Sequence, residues 1–563
     1  MKRPRVAFLS LLAAAAGLSL WLLARSDDPI PPAGRPEWAA PGSFSRIHSD
    51  HPEFETLFAL IRTTLKANQA GFRAGSGFIR GFAAGSAYPQ IWIRDAATII
   101  PAARFFYGAP YLLTSLIEHL ARQKPNGEIE DWFDASGSAD KNTTESDQET
   151  SAVLAAGLIA DLVGPAWLKR TINGKSVLER LEDGLSFILR ERFDAPLGLV
   201  KGAHTIDWGD VEMEEPDQRA IRVGPGSHWT AGIYNQSQFY AASLELARLW
   251  RSLGSPERAA RWTEKATALR AAADRTLWQE SRGFYRVHVH LTPLRHAFDE
   301  DSMFPMGGNA EAVLSGLATP EKARRIFEAA AARRREFRVS TISGVLLPPY
   351  PAGAFAHSMV DEPFEYQNGG QWDWFGGKLI LAMFVNGAAD AAAGELLAIA
   401  AKDATHGGLF EWDTPEGTGR GSSRFSGSAG SLARALIEGY YGIEIGDGRL
   451  TISPRLGADG GAVHLFVPAA GRFVGYDQAF DEESRTLTIT CASDWTENGA
   501  LRIFWPRRDK AGRPLETPRK FDVRRDGAPV PYRLEKTGED TYVRLETDWK
   551  RHTMRIHPDP GER

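Results

Sequence analysis

The sequence predicts a mainly α protein: an (α/α)6 toroid followed by a small C-terminal β-sandwich. Three observations carry that prediction. Apolar residues recur at helical spacing in twelve separate stretches up to about residue 442. Those stretches come in pairs, joined alternately by short turns and by long loops rich in Gly, Trp and acids. From about Gly446 the period changes to that of short strands separated by turn residues.

Residues 1–28 read as a signal sequence or N-terminal membrane anchor. Lys2, Arg3 and Arg5 precede an apolar run from Val6 to Leu23, followed by Arg25 and a polar stretch. The run is long for a cleaved leader and just long enough to span as a helix. No Cys follows it, which excludes a lipoprotein anchor, and Ala24-Arg25-Ser26 matches a cleavage site poorly. An uncleaved anchor is therefore favoured. Either form implies export to a periplasmic or other extracytoplasmic space, with the positive end left inside. Residues 29–50 follow as a linker, with five prolines between Pro29 and Pro41.

The barrel is expected over 51–445. Phe54, Leu57, Phe58, Ile61 and Leu65 open it on one helix face, with Asp50 available as a cap. Further helices read near 95–107, 110–123, 145–162, 175–192, 228–253, 257–279, 305–317, 319–335, 369–386, 389–402 and 427–441. Twelve helices in six hairpins can close into a double ring, with one set of long loops over one mouth. Residues 446–563 are expected to form the sandwich, with strands at 463–467, 487–489, 501–505, 542–545 and 553–556.

Composition narrows the function. The net charge of −5 leaves no basic footprint for nucleic acid. Sixteen Trp and 10% aromatic residues are generous, and sugar clefts use such rings as platforms, as large cores also do. Cys491 is the only cysteine, so no intrachain disulfide forms, and its place in a strand pattern marks a buried, inert thiol. No His or Cys cluster has metal-ligand spacing along the chain. The pattern implies no cofactor and no His- or Cys-based metal site, leaves an oxygen-liganded Ca²⁺ open, implies a carbohydrate partner and membrane contact only through the N-terminal segment, and sets no oligomeric state.

The loops concentrate the chemistry. His204-Thr205-Ile206-Asp207-Trp208-Gly209-Asp210-Val211-Glu212, continued to Asp217, carries six carboxylates in fourteen residues, and Gly209 and Pro216 exclude a helix there. Glu214, Glu215 and Asp217 fit an ordinary solvated face. The Asp207–Asp210 stretch fits it less well, because an indole set between two acids is costly to leave in water. A carboxyl held against an indole is raised toward the range of a general acid. Trp92-Ile93-Arg94-Asp95 opens an apolar helix. Its Arg–Asp pair reads equally as a surface pair, as a helix cap, or as a fork that fixes vicinal sugar hydroxyls.

Trp132 closes the acidic loop at 125–132, and Asp147 and Gln148 lie at a helix start where a capping box explains much of the sequence. Tyr366-Gln367-Asn368-Gly369-Gly370-Gln371-Trp372 combines amides and rings, as a sugar subsite or an aromatic helix start would. Glu411 sits between Phe410 and Trp412. Glycoside hydrolysis needs one protonated and one ionised carboxyl, and loops this far apart in sequence meet only if the ring closes.

Taken in order, these motifs resemble the six-hairpin (α/α)6-barrel glycoside hydrolases, the group of glucoamylases, processing α-glucosidases and the amylo-α-1,6-glucosidase part of debranching enzymes. The resemblance covers about residues 51–445. The "WIRD" segment is similar to an element whose Arg and Asp hold the terminal sugar, which implies Trp92, Arg94 and Asp95 here. "DWGD" resembles the general-acid motif, which implies Asp210, with Asp207 or Glu212 as alternatives in so acidic a loop. "GLFEWD" resembles the general-base segment, which implies Glu411. "YQNGGQWDW" is similar to a substrate segment, adding Tyr366, Asn368 and Trp372, and "SRFSGSAGSLARALIEGYYGI" resembles the last barrel helix.

Trp132, Asp147, Gln148, Trp208 and Trp412 complete the expected substrate contacts. A large N-terminal β-domain found in many relatives is missing, and the β region here is C-terminal. The resemblance implies inversion, with carboxyls roughly 6.5–9.5 Å apart, and α-glucoside as the commonest substrate. Three other readings compete. An inverting phosphorylase of the same fold would use Arg420 and Arg424 to cradle phosphate. A polysaccharide lyase would want Tyr and His as acid and base. A non-catalytic envelope protein would only bind glycans.

Overall fold

The computed structural model describes residues 45–141, 147–211, 213–214, 223 and 226–559. The expected signal sequence or anchor and most of the linker lie outside the described residues. Among the described residues, no helix is long and apolar enough to cross a membrane.

Among the described residues, twelve α-helices follow one another, one for each predicted stretch. They are α1 (Pro52–Ala67), α2 (Ile93–Ala103), α3 (Ala109–Arg122), α4 (Asp147–Val163), α5 (Val177–Glu191), α6 (Ile233–Ser252), α7 (Pro256–Leu277), α8 (Met306–Leu314), α9 (Pro320–Phe337), α10 (Asp373–Val385), α11 (Ala389–His406) and α12 (Ser426–Arg434). The even-numbered helices form an inner ring. Each packs on the next, and α12 returns to pack on α2, closing the circle.

Sequence explains which helices go inside. In α10, Phe375, Leu379, Ile380, Leu381, Met383 and Phe384 spread around the whole circumference, so no face suits water. In α5, Leu178, Leu181, Leu185 and Ile188 fall on one side and charges on the other, so it lies outside; a Ser176–Glu179 capping box starts it. The helix α12 runs on into a π-helical turn, Ala435–Tyr440, which carries Glu438 to Arg104 at 2.9 Å.

Several boundaries differ from the predicted ones for local reasons. Residues 229–232, expected in a helix, form a strand before α6, because they pair with His288–His290 on one side and Gly202–Ala203 on the other. The expected cap Asp50 accepts instead from the Gly460 amide at 2.8 Å, leaving His51 to begin α1 with no side-chain cap. Arg46–Ser49, inside the expected linker, pairs with the strand at Gly461–Val467.

The C-terminal residues build two sheets. One runs 46–49, 461–467, 472–481, 486–493, 552–558, 521–525, 528–529; the other runs 443–446, 449–452, 499–504, 540–547, 533–537. All five predicted strands are among them. The long strand at Arg472–Asp481 escaped the sequence reading because its Gly475 and polar Asp477 and Gln478 blur the alternation. Trp505 links the sheets through Phe480 and Phe521, and Cys491 is buried with its thiol pushed up to about 12. The Asp540 carboxylate accepts the Ala389 amide of α11 at 3.1 Å, tying sheet to barrel.

Candidate active site

The residues just before or at the N-termini of α2, α10 and α12 line one mouth. The segments 84–95, 208–211, 357–359, 366–374 and 411–425 all contribute to a single cleft of about 820 Å³. Asp210 and Glu411 both line it, together with Trp92, Arg94, Asp95, Trp208, Tyr366 and Trp372. Loops about 200 residues apart in sequence therefore meet at one cavity.

Glu411 is 3% exposed. Both of its oxygens accept from the Tyr88 hydroxyl, at 2.9 and 3.1 Å, and Oε2 also accepts the Ser422 amide at 3.0 Å. Burial is the main influence on its carboxyl and raises its pKa; the Ser422 and Tyr88 donors work against it, and Asp210 adds to it. Gly421 makes the fit: it has φ +67°, and a Cβ there would stand 2.4 Å from Glu411 Oε2.

Asp210 faces the cavity with 31% of its side chain exposed. Gln367 Nε2 donates to its Oδ1 at 3.0 Å, and Arg94 Nη1 stands 4.0 Å from its Oδ2. Arg94 itself is held by an ion pair with Asp147 and donates to the Trp208 carbonyl at 3.3 Å. The Arg of the "WIRD" segment thus braces the loop that carries the acid. Asp95 lines the cavity and is 7% exposed, with Oδ1 buried and unpartnered by protein groups. Burial, reinforced by Asp210 and Glu411 against the opposing Arg94, raises its pKa to about 7.

The Asp207-Trp208 part of the loop corrects one expectation. Trp208 does not close over Asp210, the acid the motif implies. Its indole instead stacks on Phe375 at 4.4 Å and meets Trp372 edge-on at 4.8 Å. The acid buried beside it is Asp207, held at φ 49°. Asp207 accepts the Gly308 amide at 2.8 Å, at the N-terminus of α8, and does not line the cleft. Burial raises its pKa to about 7 despite the Gly308 and Gly307 donors. A Cβ at Gly308 would stand 2.6 Å from its Oδ1, so only glycine permits this approach. Asp207, expected among the catalytic residues, thus anchors the loop from outside the cleft. Glu212 lies outside the described residues.

The remaining expected contacts divide. Tyr366 and Trp372 line the cleft, with Trp372 Nε1 donating to the Tyr366 carbonyl at 3.0 Å. Trp92 lines it, while its strand partner Trp132 stands 6.0 Å away and outside the lining. Trp412 also stands outside, 6.3 Å from Tyr366. Asp147 and Gln148 are fully buried at the start of α4 and act from behind: Asp147 holds Arg94 and accepts the Tyr234 hydroxyl at 3.2 Å, and Gln148 donates to Asp131 at 2.5 Å.

Asn368 is fully enclosed, bonded to the backbone of Tyr350, Val360 and Glu362, so it organises its loop and is not available to a ligand. Tyr88, Asp131 and Gln367 reach the cleft without having been singled out; the aromatic Tyr88 six residues before Arg94 was the available signal. Arg420 and Arg424 are exposed and line no part of the cleft. Although no His or Cys cluster has metal-ligand spacing along the chain, the fold brings donor atoms of His204, His290, His296 and Glu300 within 4.8 Å of one another.

The ring of paired helices, with acids and aromatic rings at the mouth over the inner N-termini, defines the architecture as an (α/α)6 barrel. Solved α-L-rhamnosidases share it. The chain superposes on the enzyme from Dictyoglumus thermophilum with TM-score 0.62 at 12% identity, over 92% of this chain and 50% of that one. For the Streptomyces avermitilis α-L-rhamnosidase complexed with L-rhamnose the TM-score is 0.59 at 14% identity, over 91% and 42%. For the GH78 family rhamnosidase of Bacillus sp. GL1 it is 0.56 at 13% identity, over 83% and 43%. The chain thus spans half or less of these proteins, and at these identities the likeness is one of fold. No family model and no curated protein matches the sequence.

Proposed function

We propose that the chain is a glycoside hydrolase acting with inversion, with Asp210 as general acid and Glu411 as general base. One observation supports this most: two acids from remote loops line one cleft that also holds an Arg–Asp pair and several rings. Their surroundings suit opposite roles. Tyr88 and Ser422 direct their donors at Glu411, which favours its ionised form and fixes its orientation for deprotonating a water. Asp210 has Oδ1 engaged by Gln367 and Oδ2 beyond hydrogen-bond reach of Arg94, leaving Oδ2 to carry a proton toward a leaving oxygen.

Asp95, with its unpartnered oxygen, is suited to accept from a sugar hydroxyl, and Trp92, Tyr366 and Trp372 offer ring faces and edges. The phosphorylase reading has less support, since Arg420 and Arg424 stand away from the cleft. The expected α-glucoside rests on motif resemblance, and the structural neighbours are named as α-L-rhamnosidases. A panel of aryl α-glucosides, α-L-rhamnosides and oligosaccharides, assayed with and without phosphate, separates these substrates and readings.

The deciding test uses Glu411→Gln with azide. Restored turnover giving a glycosyl azide of inverted configuration supports Glu411 as base or nucleophile, and the anomer first released by wild type separates the two. A turnover equal to wild type without azide rejects it.

A further inference from the structure

Three segments remote in sequence converge beside the acid loop and carry five imidazoles. A three-stranded sheet joins Gly202–Ala203, Trp229–Gly232 and His288–His290, with Thr230 opposite His290 and Gly232 opposite His288. His204 follows the first strand, His228 precedes the second, and His288 and His290 share one face of the third. The His204 ring lies 5.1, 5.0, 5.2 and 6.2 Å from those of His228, His288, His290 and His296. Imidazole nitrogens are the commonest metal ligands among side chains.

A second observation points to a ligand. The His204 side chain is 1% exposed, its Nδ1 is bonded to the Glu214 carboxylate, and its Nε2 has no partner among protein groups. A carboxylate only accepts, so the proton sits on Nδ1 and a lone pair on Nε2 is turned inward. This carboxylate–histidine arrangement is how metal-binding imidazoles are oriented. Glu300 Oε1 accepts the Tyr350 hydroxyl at 2.8 Å, and its Oε2 lies 2.9 Å from His290 Nε2, a contact that the ion would replace.

We propose that His204, His290, His296 and Glu300 bind one Zn²⁺-class transition-metal ion, which clasps the acid loop to the segment leading into α8. Three nitrogens and one carboxylate oxygen match a tetrahedral zinc site, whereas calcium and magnesium require oxygen shells. Metal–ligand bonds of about 2.0–2.1 Å place tetrahedral donors about 3.3 Å apart. The observed limit of 4.8 Å therefore closes by side-chain movements of about an ångström. His290, His296 and Glu300 keep 16, 13 and 15% exposure, which gives an ion a way in. The inference does not depend on the hydrolase reading.

The test uses the full chain, stripped with a chelator and titrated with Zn²⁺ alone. Calorimetry and elemental analysis should show one ion per chain with submicromolar affinity, and the melting temperature should rise on binding. The His290→Gln/His296→Gln double variant should lose at least a hundredfold in affinity while melting, metal-free, near stripped wild type. Should that variant fail to fold, Co²⁺ added to wild type should give the visible absorption of a tetrahedral nitrogen-rich site. No stoichiometric zinc, zinc bound equally by the double variant, or an octahedral Co²⁺ spectrum would each overturn the proposal.

Discussion

The Tyr88 hydroxyl bridges both carboxylate oxygens of Glu411, at 2.9 and 3.1 Å, although the two residues lie at opposite ends of the barrel sequence. A hydrogen bond to the charged form favours ionisation, and here it counteracts the burial that raises the Glu411 pKa. In Tyr88→Phe that opposition is lost, so the pKa rises further. The acidic limb of the kcat/KM profile should move to higher pH, with activity at neutral pH falling about tenfold or more. A pH–rate profile that keeps its acidic limb would show that the phenol does not tune the base.

Asp210→Asn removes the proposed proton donor and keeps the shape. Substrates whose leaving groups need protonation should lose on the order of 10²–10⁴ in kcat. Aryl glycosides with acidic phenols should lose far less. A uniform loss across leaving groups would assign Asp210 a binding role.

Asp207 provides a stability test in which the sign is informative. Its folded pKa is raised to about 7 from 3.8, so the folded state holds this proton more tightly. Its contribution to stability is therefore greatest below about pH 4, declines from there to about pH 7, and stays low above. The shift corresponds to on the order of 4 kcal/mol at most. Asp207→Asn should remove this decline, narrowing the gap between stability at pH 4 and pH 7 in denaturant titrations. An unchanged gap would mean that Asp207 is ionised throughout.

The Arg94–Asp147 pair is nearly free of solvent, at 10 and 0% side-chain exposure. Asp147→Ala leaves a buried guanidinium without its partner, and breaking such a pair costs about 3–5 kcal/mol. Because Arg94 also holds the Trp208 carbonyl, kcat should fall with stability. Loss of stability with full activity in the folded fraction would separate the brace from the catalytic loop.

Much of the fold was legible because periodicity is local. The twelve helical stretches and five strands were all visible in patterns of a few residues, and α10 announced its place by being apolar all round. The site was partly legible: Asp210, Glu411, Arg94 and Asp95 stood out as acids or forks beside Trp and Gly. Direction was not. Nothing near Asn368 told that its amide would face the backbone of its own loop, or that Trp208 would turn toward Phe375 and away from Asp210. The histidine cluster was hidden for another reason. Its members come from three segments that only the 202–203, 229–232 and 288–290 pairings bring together.

The contact of α12 with α2 has a consequence for biosynthesis. The wall that carries Trp92, Arg94 and Asp95 emerges early from the ribosome, but the hairpin that completes the circle and delivers Glu411 comes more than three hundred residues later. Until then the nascent barrel is an open arc with apolar edges on α2 and α10, the kind of surface that chaperones bind. The complete cleft therefore arrives late and all at once, when the final pair of helices docks.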